Sequence, residues 1–279
     1  MKRFAVPLAA VMLLSQCAVV CAGESADLAA KTITDRYYPA LTADQAARIN
    51  ALAAGGGSDH EKIAQMCGLL DAYSEYLPYG AGAASETPYE YAVNGGLYVK
   101  ITQFAFGVDD GVLALLEEYP GIPLLLDLTE CSGGVTTVAE HIAQAIVPAG
   151  LLCTIKFKDA EQRYVSEFDG AGRTVVTLIS NATASAAELL AAALQESGAG
   201  IVVGRQSRGK ASVQTARLLP NGGILKITSG HWFTRNGADI DGIGIAPNIT
   251  VDGECLKAVL PCVQNIAVTY FKAVWRLRG

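Results

Sequence analysis

From residue 97 onward, short continuous apolar runs alternate with segments whose apolar residues have helical spacing. The runs at 122–128 and 174–180 suit buried strands, whereas 109–119 and 185–197 have the spacing of helices packed on a sheet. The same pattern predicts a helix over 135–147 and strands over 97–104, 150–157, 162–168 and 200–204, followed by a hairpin at 220–223. This order predicts an α/β core with a parallel-rich sheet.

The rest of the chain divides by composition. Residues 23–78 have the apolar spacing of short helices and are expected to form a helical N-terminal region. The segment 79–96, rich in Gly, Ala, Ser and Pro, is expected to be a linker or a lid over a cleft. Residues 97–253 form the predicted core, and 254–279 a C-terminal helical extension. That extension is expected either to pack on the core or to form a homodimer contact.

The first 22 residues have the pattern of a secretory signal peptide. Lys2 and Arg3 precede an apolar stretch that ends in small residues at Ala22, which predicts cleavage there and export to the periplasm or the medium. Lipidation at Cys17 is a less favoured alternative, because Gln16 precedes that cysteine.

Charge and cysteine content restrict the partners and the compartment. The full chain has a net charge of -6, and loss of Lys2 and Arg3 leaves 19 basic against 27 acidic residues, a net charge of -8. Such a chain is poorly suited to nucleic acid. Five cysteines remain after residue 22, so at least one is expected to be a free thiol or to bridge to another molecule. Cys255 and Cys262 are close enough to pair, whereas Cys131 and Cys153 are expected to be buried.

The main candidate chemistry lies between residues 181 and 215. Ser185 stands where a predicted strand gives way to a helix, and Lys210 and Gln214 follow 25 and 29 positions later. A serine hydroxyl is a weak nucleophile until a base takes its proton, and a lysine can be that base when burial lowers its pKa. The chain has no carboxylate between Gly204 and Thr215 to hold this lysine charged. Gln214 is expected on the same face of an extended segment, where its carbonyl can orient the amine.

A glycine pair, Gly133 and Gly134, follows the predicted strand 122–128. Glycines allow a close backbone approach, so this turn is a candidate oxyanion hole at the carboxyl edge of the sheet. Each feature has a purely structural alternative when taken alone. Ser185 and Glu188 have the spacing of a capping box, and the glycine pair fits an ordinary strand-to-helix turn.

Four ordered blocks resemble the C-terminal processing, or tail-specific, peptidases, serine proteases of the Clp/crotonase superfamily. The blocks are LLLDLTECSGGV at 124–135, TASAAE at 183–188, RGKASVQ at 208–214 and HWFTRNGADIDGIGIAPNITV at 231–251. They are similar to the family's D-L-R-x-N-x-G-G, S-A-S-x-E, F-G-K-x-x-V-Q and Y-x-T-P-x-G-x-x-I-x-G-x-G-I-x-P-D patterns. The sequence departs at Thr129-Glu130-Cys131, which replaces Arg-x-Asn, and at Asn248, which replaces the final Asp.

The resemblance implies a Clp/crotonase-like fold and an exported endopeptidase acting on proteins or peptides. It implies Ser185 as nucleophile, Lys210 as base, Gln214 as the orienting amide, and an oxyanion hole from the glycine pair and the Ala186 amide. No cofactor or metal is implied. LDAYSEYL at 70–77 resembles the family's segment before the core, yet only about twenty residues separate it from Leu97, too few for the PDZ domain of well-known members. A separate adaptor protein is therefore one route for substrate delivery.

Other functions remain to be distinguished. The fold could serve as a catalytically weak peptide-binding module, or as a helper that holds a partner protein. GRQSRGKA at 204–211 nearly matches a phosphate-binding loop, but Ala211 lacks the required hydroxyl and a strand pattern follows where a helix is needed. The histidines, His60, His141 and His231, are scattered without metal-ligand spacing, and a Ser-His dyad with His231 is a minor alternative.

Overall fold

A computed structural model of the chain describes residues 23–79, 88–169 and 173–251. The predicted signal peptide, residues 80–87 of the predicted linker or lid and the predicted C-terminal extension lie outside these described residues, as do Cys255 and Cys262. The described residues fall into two compact units. None of the helices within the described ranges combines the length and apolarity needed to cross a membrane.

The first unit contains residues 23–79, 156–160 and 212–231. Its helices are α1 (Glu24–Arg36), α2 (Ala43–Ala54) and α3 (Asp59–Cys67), and its strands are β1 (Glu75–Leu77), β9 (Ser212–Leu218) and most of β10 (Ile224–Thr234). Capping boxes begin two of the helices, Thr42 with Gln45 in α2 and Ser58 with Glu61 in α3. Three helices thus occur in the region predicted to be helical.

Side chains of these helices and of β10 share one apolar core, which includes Ile33, Ile49, Ile63, Met66 and Leu225. β10 pairs antiparallel with both β1 and β9, and the predicted hairpin joins β9 to β10. The first unit therefore includes two segments, 156–160 and 212–231, that are distant in sequence from the predicted N-terminal region.

The second unit contains residues 88–155, 161–211 and 232–251, apart from 170–172. Its strands are β2 (Tyr89–Val93), β3 (Leu97–Ile101), β4 (Leu124–Asp127), β7 (Val175–Ile179), β8 (Gly200–Gly204) and β11 (Ile249–Thr250), with β5 (Gly150–Phe157) and β6 (Glu161–Ser166) adjacent to each other in a second sheet. The six-stranded sheet has the order β11-β8-β7-β4-β3-β2, and all its neighbours are parallel except β2 and β3.

Helices α4 (Val108–Glu118), α5 (Thr136–Gln144) and α6 (Ala186–Glu196) belong to this unit. All residues of β4 and β7 are buried, as expected for continuous apolar strands inside a parallel sheet. Apolar residues of α4, α5 and α6 share a core with the sheet, including Val112, Ile142 and Leu190. This architecture confirms the predicted parallel-rich α/β core.

The prediction for residues 79–96 was wrong in part. Tyr89–Val93 form β2, which pairs antiparallel with β3 from Tyr89↔Ile101 to Val93↔Leu97. Tyr89 and Tyr91 are half-buried against the core, so this stretch is an edge strand and not a linker. Small residues and Pro88 in the segment weaken the strand signal of Tyr-Glu-Tyr-Ala-Val.

Candidate active site

Three loops of the second unit carry the glycine pair, Ser185 and Lys210 of the predicted site, and each follows the carboxyl end of a parallel strand. Residues 128–134, the glycine loop, follow β4; residues 180–185, the serine loop, follow β7; and residues 205–210, the lysine loop, follow β8. The strands lie side by side in the order β4-β7-β8, so the three loops emerge at one edge of the sheet. Open α/β sheets bind ligands at this edge.

Ser185 has an unusual backbone conformation. With φ 57° and ψ -122° it is the only residue other than glycine with positive φ in the part of the chain that the structure describes. These angles match the first central position of a type II′ turn, which normally requires glycine. Ser185 directly precedes α6, so its half-buried side chain lies at a helix N-terminus, where the dipole favours negative charge. Strain of this kind is common at functional sites.

Three hydrogen bonds join the serine loop to the glycine loop. Thr183 Oγ1 donates to Leu128 O at 2.8 Å, and Ser180 Oγ donates to Thr129 O at 2.5 Å. The Ala184 N-H donates to Cys131 O at 3.0 Å. Because each bond ends on a backbone carbonyl, the path of the glycine loop is fixed relative to the serine.

The glycine pair lies against the serine loop. Gly133 has φ 101°, and a Cβ added there would lie 2.7 Å from Ala184 O, 2.9 Å from Ser185 Cβ and 3.2 Å from Ala186 N. Only glycine allows this approach, which brings Gly133 next to both the nucleophile candidate and the Ala186 amide. On its other side the loop pairs with Phe104: Phe104 N donates to Gly133 O at 2.9 Å, and Gly134 makes a parallel bridge with Phe104.

Asp127, the last residue of β4, anchors the start of the glycine loop. It is fully buried, and its carboxylate accepts from Tyr98 Oη at 2.8 Å and from Thr129 N and Oγ1 at 2.9 and 2.7 Å. Burial, followed by the Asp127 charge, raises the pKa of the Tyr98 hydroxyl, so it stays a donor. Glu130, which stands in the departure from the family pattern, pairs with Lys100 at 2.7 Å.

The lysine loop is held from two sides. Trp232 Nε1 donates to the carbonyl of Lys210 at 3.1 Å, and the Lys210 side chain is half-buried. Gly209 packs against the turn at 240–244, where an added Cβ would lie 2.6 Å from Ile243 N. Asn248 is the second departure from the family pattern. Its side-chain oxygen accepts from Val202 N at 2.8 Å, a hydrogen bond that does not require the carboxylate of the family's Asp.

Glu188 connects the serine loop to the lysine loop, and its role in the site was not predicted from the sequence. Its Oε2 accepts from the backbone N-H groups of both Ser185, at 2.7 Å, and Lys210, at 2.8 Å. Two residues 25 positions apart in sequence therefore have backbone nitrogens bound to one oxygen atom. The only sequence signal was the Ser-x-x-Glu spacing, which equally fits a helix cap.

Gln214 lies on β9 in the first unit, whereas Ser185 and Lys210 lie in the second. Its Nε2 donates to Ser212 Oγ at 3.0 Å and to Thr228 Oγ1 at 3.1 Å. These bonds fix the Gln214 side chain. The strand itself was predicted to follow the lysine, whereas a phosphate-binding loop would require a helix there.

The histidines have separate surroundings. His60 Nδ1 is hydrogen-bonded to Tyr76 Oη at 2.6 Å, and His141 Nδ1 to Asp109 Oδ2 at 2.6 Å. The ring centroids of His231 and Tyr38 are 6.4 Å apart. Among the described residues, no group of three or more His, Cys, Asp and Glu side chains could hold a metal ion.

Three cysteines, Cys67, Cys131 and Cys153, are free and buried. Burial raises the pKa of each thiol to about 12. Cys131 is therefore a neutral thiol inside the glycine loop, which agrees with the choice of serine over this cysteine as nucleophile.

The fold and the loops together define an α/β protein with a strained serine at a helix N-terminus, beside a glycine turn. Residues 96–251 match the model of peptidase family S41, and the chain belongs to that family.

Similar proteins include a carboxy-terminal-processing protease of Bartonella bacilliformis, 30% identical over 58% of this chain and 40% of the relative. A chloroplastic C-terminal processing peptidase of Tetradesmus obliquus is 33% identical over 51% of this chain and 32% of the relative. The chain thus matches less than half the length of either relative.

Solved structures that share the fold include two with nearly full coverage. A photosystem II D1 C-terminal processing protease aligns with a TM-score of 0.66 and 17% identity, covering 88% of this chain and 97% of that one. A lipoprotein from Streptococcus agalactiae aligns with a TM-score of 0.70 and 15% identity, covering 90% of this chain and 99% of that one.

Proposed function

We propose that this protein is a serine endopeptidase of the tail-specific type, with Ser185 as nucleophile and Lys210 as general base. The observation that carries the proposal is the shared Glu188 oxygen, which binds the backbone N-H groups of both residues. A nucleophile and its base must approach within hydrogen-bonding reach, and this arrangement brings their backbones together. The helix N-terminus behind Ser185 supports the same assignment.

The proposed reaction begins when Ser185 Oγ attacks the scissile carbonyl carbon and its proton passes to Lys210 Nζ. The resulting oxyanion accepts hydrogen bonds from the Ala186 N-H and from the glycine pair, Gly133 and Gly134. Collapse breaks the C-N bond, and Lys210 returns the proton to the leaving amine. A water molecule, deprotonated by the same lysine, then attacks the acyl carbon. The ester C-O bond breaks, and Ser185 Oγ takes the proton back from Lys210.

Several components are inferred beyond this chemistry. Gln214, four residues after Lys210, is assigned to orient the amine. Residues 1–22 are assigned to export as a signal peptide. The segment 80–87, the part of the predicted linker or lid that precedes β2, is assigned to a lid or substrate platform. Protein or peptide substrates follow from family membership, whereas delivery by an adaptor and association as a homodimer rest on sequence considerations alone.

The test is cleavage of an unfolded protein substrate by Ser185→Ala and Lys210→Ala variants. Each is expected to lose activity by more than about a thousandfold, because members of a catalytic unit fail together. Matched controls are Ser197→Ala, at the other end of α6, and Lys158→Ala, whose exposed ammonium binds Thr34 O. Both controls should cleave at the wild-type rate.

Wild-type activity should also rise with pH toward the alkaline range, because only a neutral lysine can accept the proton. Full activity in Ser185→Ala or Lys210→Ala would end the assignment. A folded wild-type protein that binds unfolded substrate without cleaving it would instead favour the peptide-binding module.

A further inference from the structure

Glu188 is a buried acid that the proposed reaction does not use. It is the third residue of α6, and its exposed fraction is 0%. A carboxylate at such a position is costly unless its oxygens accept hydrogen bonds. Four donors meet that need: Ser185 N at 2.7 Å and Lys210 N at 2.8 Å on Oε2, and Ser207 Oγ at 2.5 Å and Gly209 N at 2.6 Å on Oε1.

This set of contacts exceeds what a helix cap requires. In a capping box the acid accepts from the N-cap backbone alone, which here is the Ser185 N-H. The other three donors come from the lysine loop. The Ser207 hydroxyl also accepts from Ile245 N at 2.6 Å, so the network extends to the turn at 240–245.

The contacts fix both halves of the dyad at once. The backbone nitrogens of Ser185 and Lys210 can be no further apart than the sum of their two bonds to Oε2. The same oxygen holds the Ser185 N-H in its strained, positive-φ conformation. Loss of these bonds would let the serine relax toward ordinary backbone angles and would let the lysine loop move.

We propose that Glu188 is a positioning residue for the peptidase site, setting the distance and orientation between the nucleophile and its base through their backbones. The inference rests on the proposed function, because it assigns a purpose to the contacts of Ser185 and Lys210. Glu188 acts only through these two residues and does not contact substrate.

Glu188→Gln is the informative substitution. The amide keeps the size of the side chain but replaces one acceptor oxygen with an NH2 group, which faces two of the four donors. We expect kcat to fall on the order of a hundredfold, as for a displacement of about 1 Å at a reacting group, with KM changed less than about threefold. The matched control is Glu196→Gln on the same helix, whose half-buried carboxylate accepts one N-H, from Asn236 at 2.8 Å, and which should keep wild-type kcat.

Amide hydrogen exchange supplies a second measurement that does not depend on activity. In folded Glu188→Gln, peptides containing Ser185, Gly209 and Lys210 should exchange on the order of tenfold faster or more than in the wild type, while the rest of α6 stays protected. A variant with wild-type kcat, or with unchanged exchange at these three amides, would overturn the inference.

Two further outcomes are a Glu188→Gln variant that does not fold and a wild-type protein that has no activity. If Glu188→Gln does not fold, Ser207→Ala takes its place: it removes one donor and should lower kcat on the order of tenfold, and wild-type kcat there would count against the inference. If the wild type cleaves nothing, the proposed function fails. Exchange in Glu188→Gln then still decides whether the carboxylate fixes the two loops.

Discussion

Replacing Ser185 by glycine and by alanine separates the backbone strain of this residue from its chemistry. Both variants lose the hydroxyl and are expected to be inactive. They differ only in the Cβ atom, which at φ 57° and ψ -122° is unfavourable for alanine and harmless for glycine. Ser185→Gly should therefore be the more stable of the two.

The size of the difference follows from two opposing terms. A residue other than glycine in a sparsely populated backbone region costs about 1–3 kcal/mol. Glycine in turn destabilises the folded state by about 0.4–1 kcal/mol relative to alanine, because it increases the entropy of the unfolded chain. The expected advantage of Ser185→Gly over Ser185→Ala is then about 1–2 kcal/mol, or roughly 2–8 °C in Tm for a protein of this size.

Thermal unfolding followed by circular dichroism measures this difference. Ala145, which ends α5 in the same unit with φ -81°, provides the matched control, because Ala145→Gly introduces glycine at an ordinary backbone angle. At position 145 the glycine variant should be less stable than the protein with alanine by about 0.5–1 kcal/mol. The stability difference between glycine and alanine should therefore have opposite signs at positions 145 and 185. Equal stability of the two Ser185 variants, or a lower Tm for glycine, would refute the argument that Ser185 is strained.

Two further predictions concern the glycine loop and the thiols. Gly133→Ala should lower kcat/KM by at least about a hundredfold, because the new Cβ would lie 2.9 Å from Ser185 Cβ and displace the proposed oxyanion donors; steady-state cleavage checks this, and wild-type kinetics would contradict it. Cys67, Cys131 and Cys153 should react slowly with iodoacetamide at pH 8 in the native protein and rapidly in urea, because burial raises the pKa of each thiol to about 12 and the thiolate is the reactive form. Peptide mapping by mass spectrometry measures the labelling, and a native rate that levels off below pH 9 would exclude the raised pKa values.

The sequence predicts the core well where burial dominates. β4 and β7 are buried throughout and are apolar except at Asp127 and Thr177, so the predicted and observed strands agree within a residue or two at their ends. Placing the glycine, serine and lysine loops at one sheet edge also follows from the pattern, since each comes after a parallel strand. The edge strand β2 was not predicted, because a half-buried strand next to small residues and Pro88 has a weaker signal.

The finer features of the site depend on tertiary contacts. Ser185 gains its positive φ from the loops that surround it, and no residue preference of serine predicts that angle. The four donors on Glu188 come from two loops separated by most of α6 and β8, so the local Ser-x-x-Glu spacing reveals only one of them. The grouping of residues 212–231 with the N-terminal helices likewise arises from strand pairing between β10 and β1.

Covalent labelling of the native protein shows whether Ser185 is a nucleophile activated by Lys210. A fluorophosphonate reacts when a serine oxygen attacks phosphorus and fluoride leaves, which adds a defined mass to the peptide that contains that serine. We expect one adduct, on Ser185, formed in the wild type near pH 8, absent in Ser185→Ala and slowed on the order of a hundredfold or more in Lys210→Ala. Labelling of another serine, or labelling of Lys210→Ala at the wild-type rate, would contradict it.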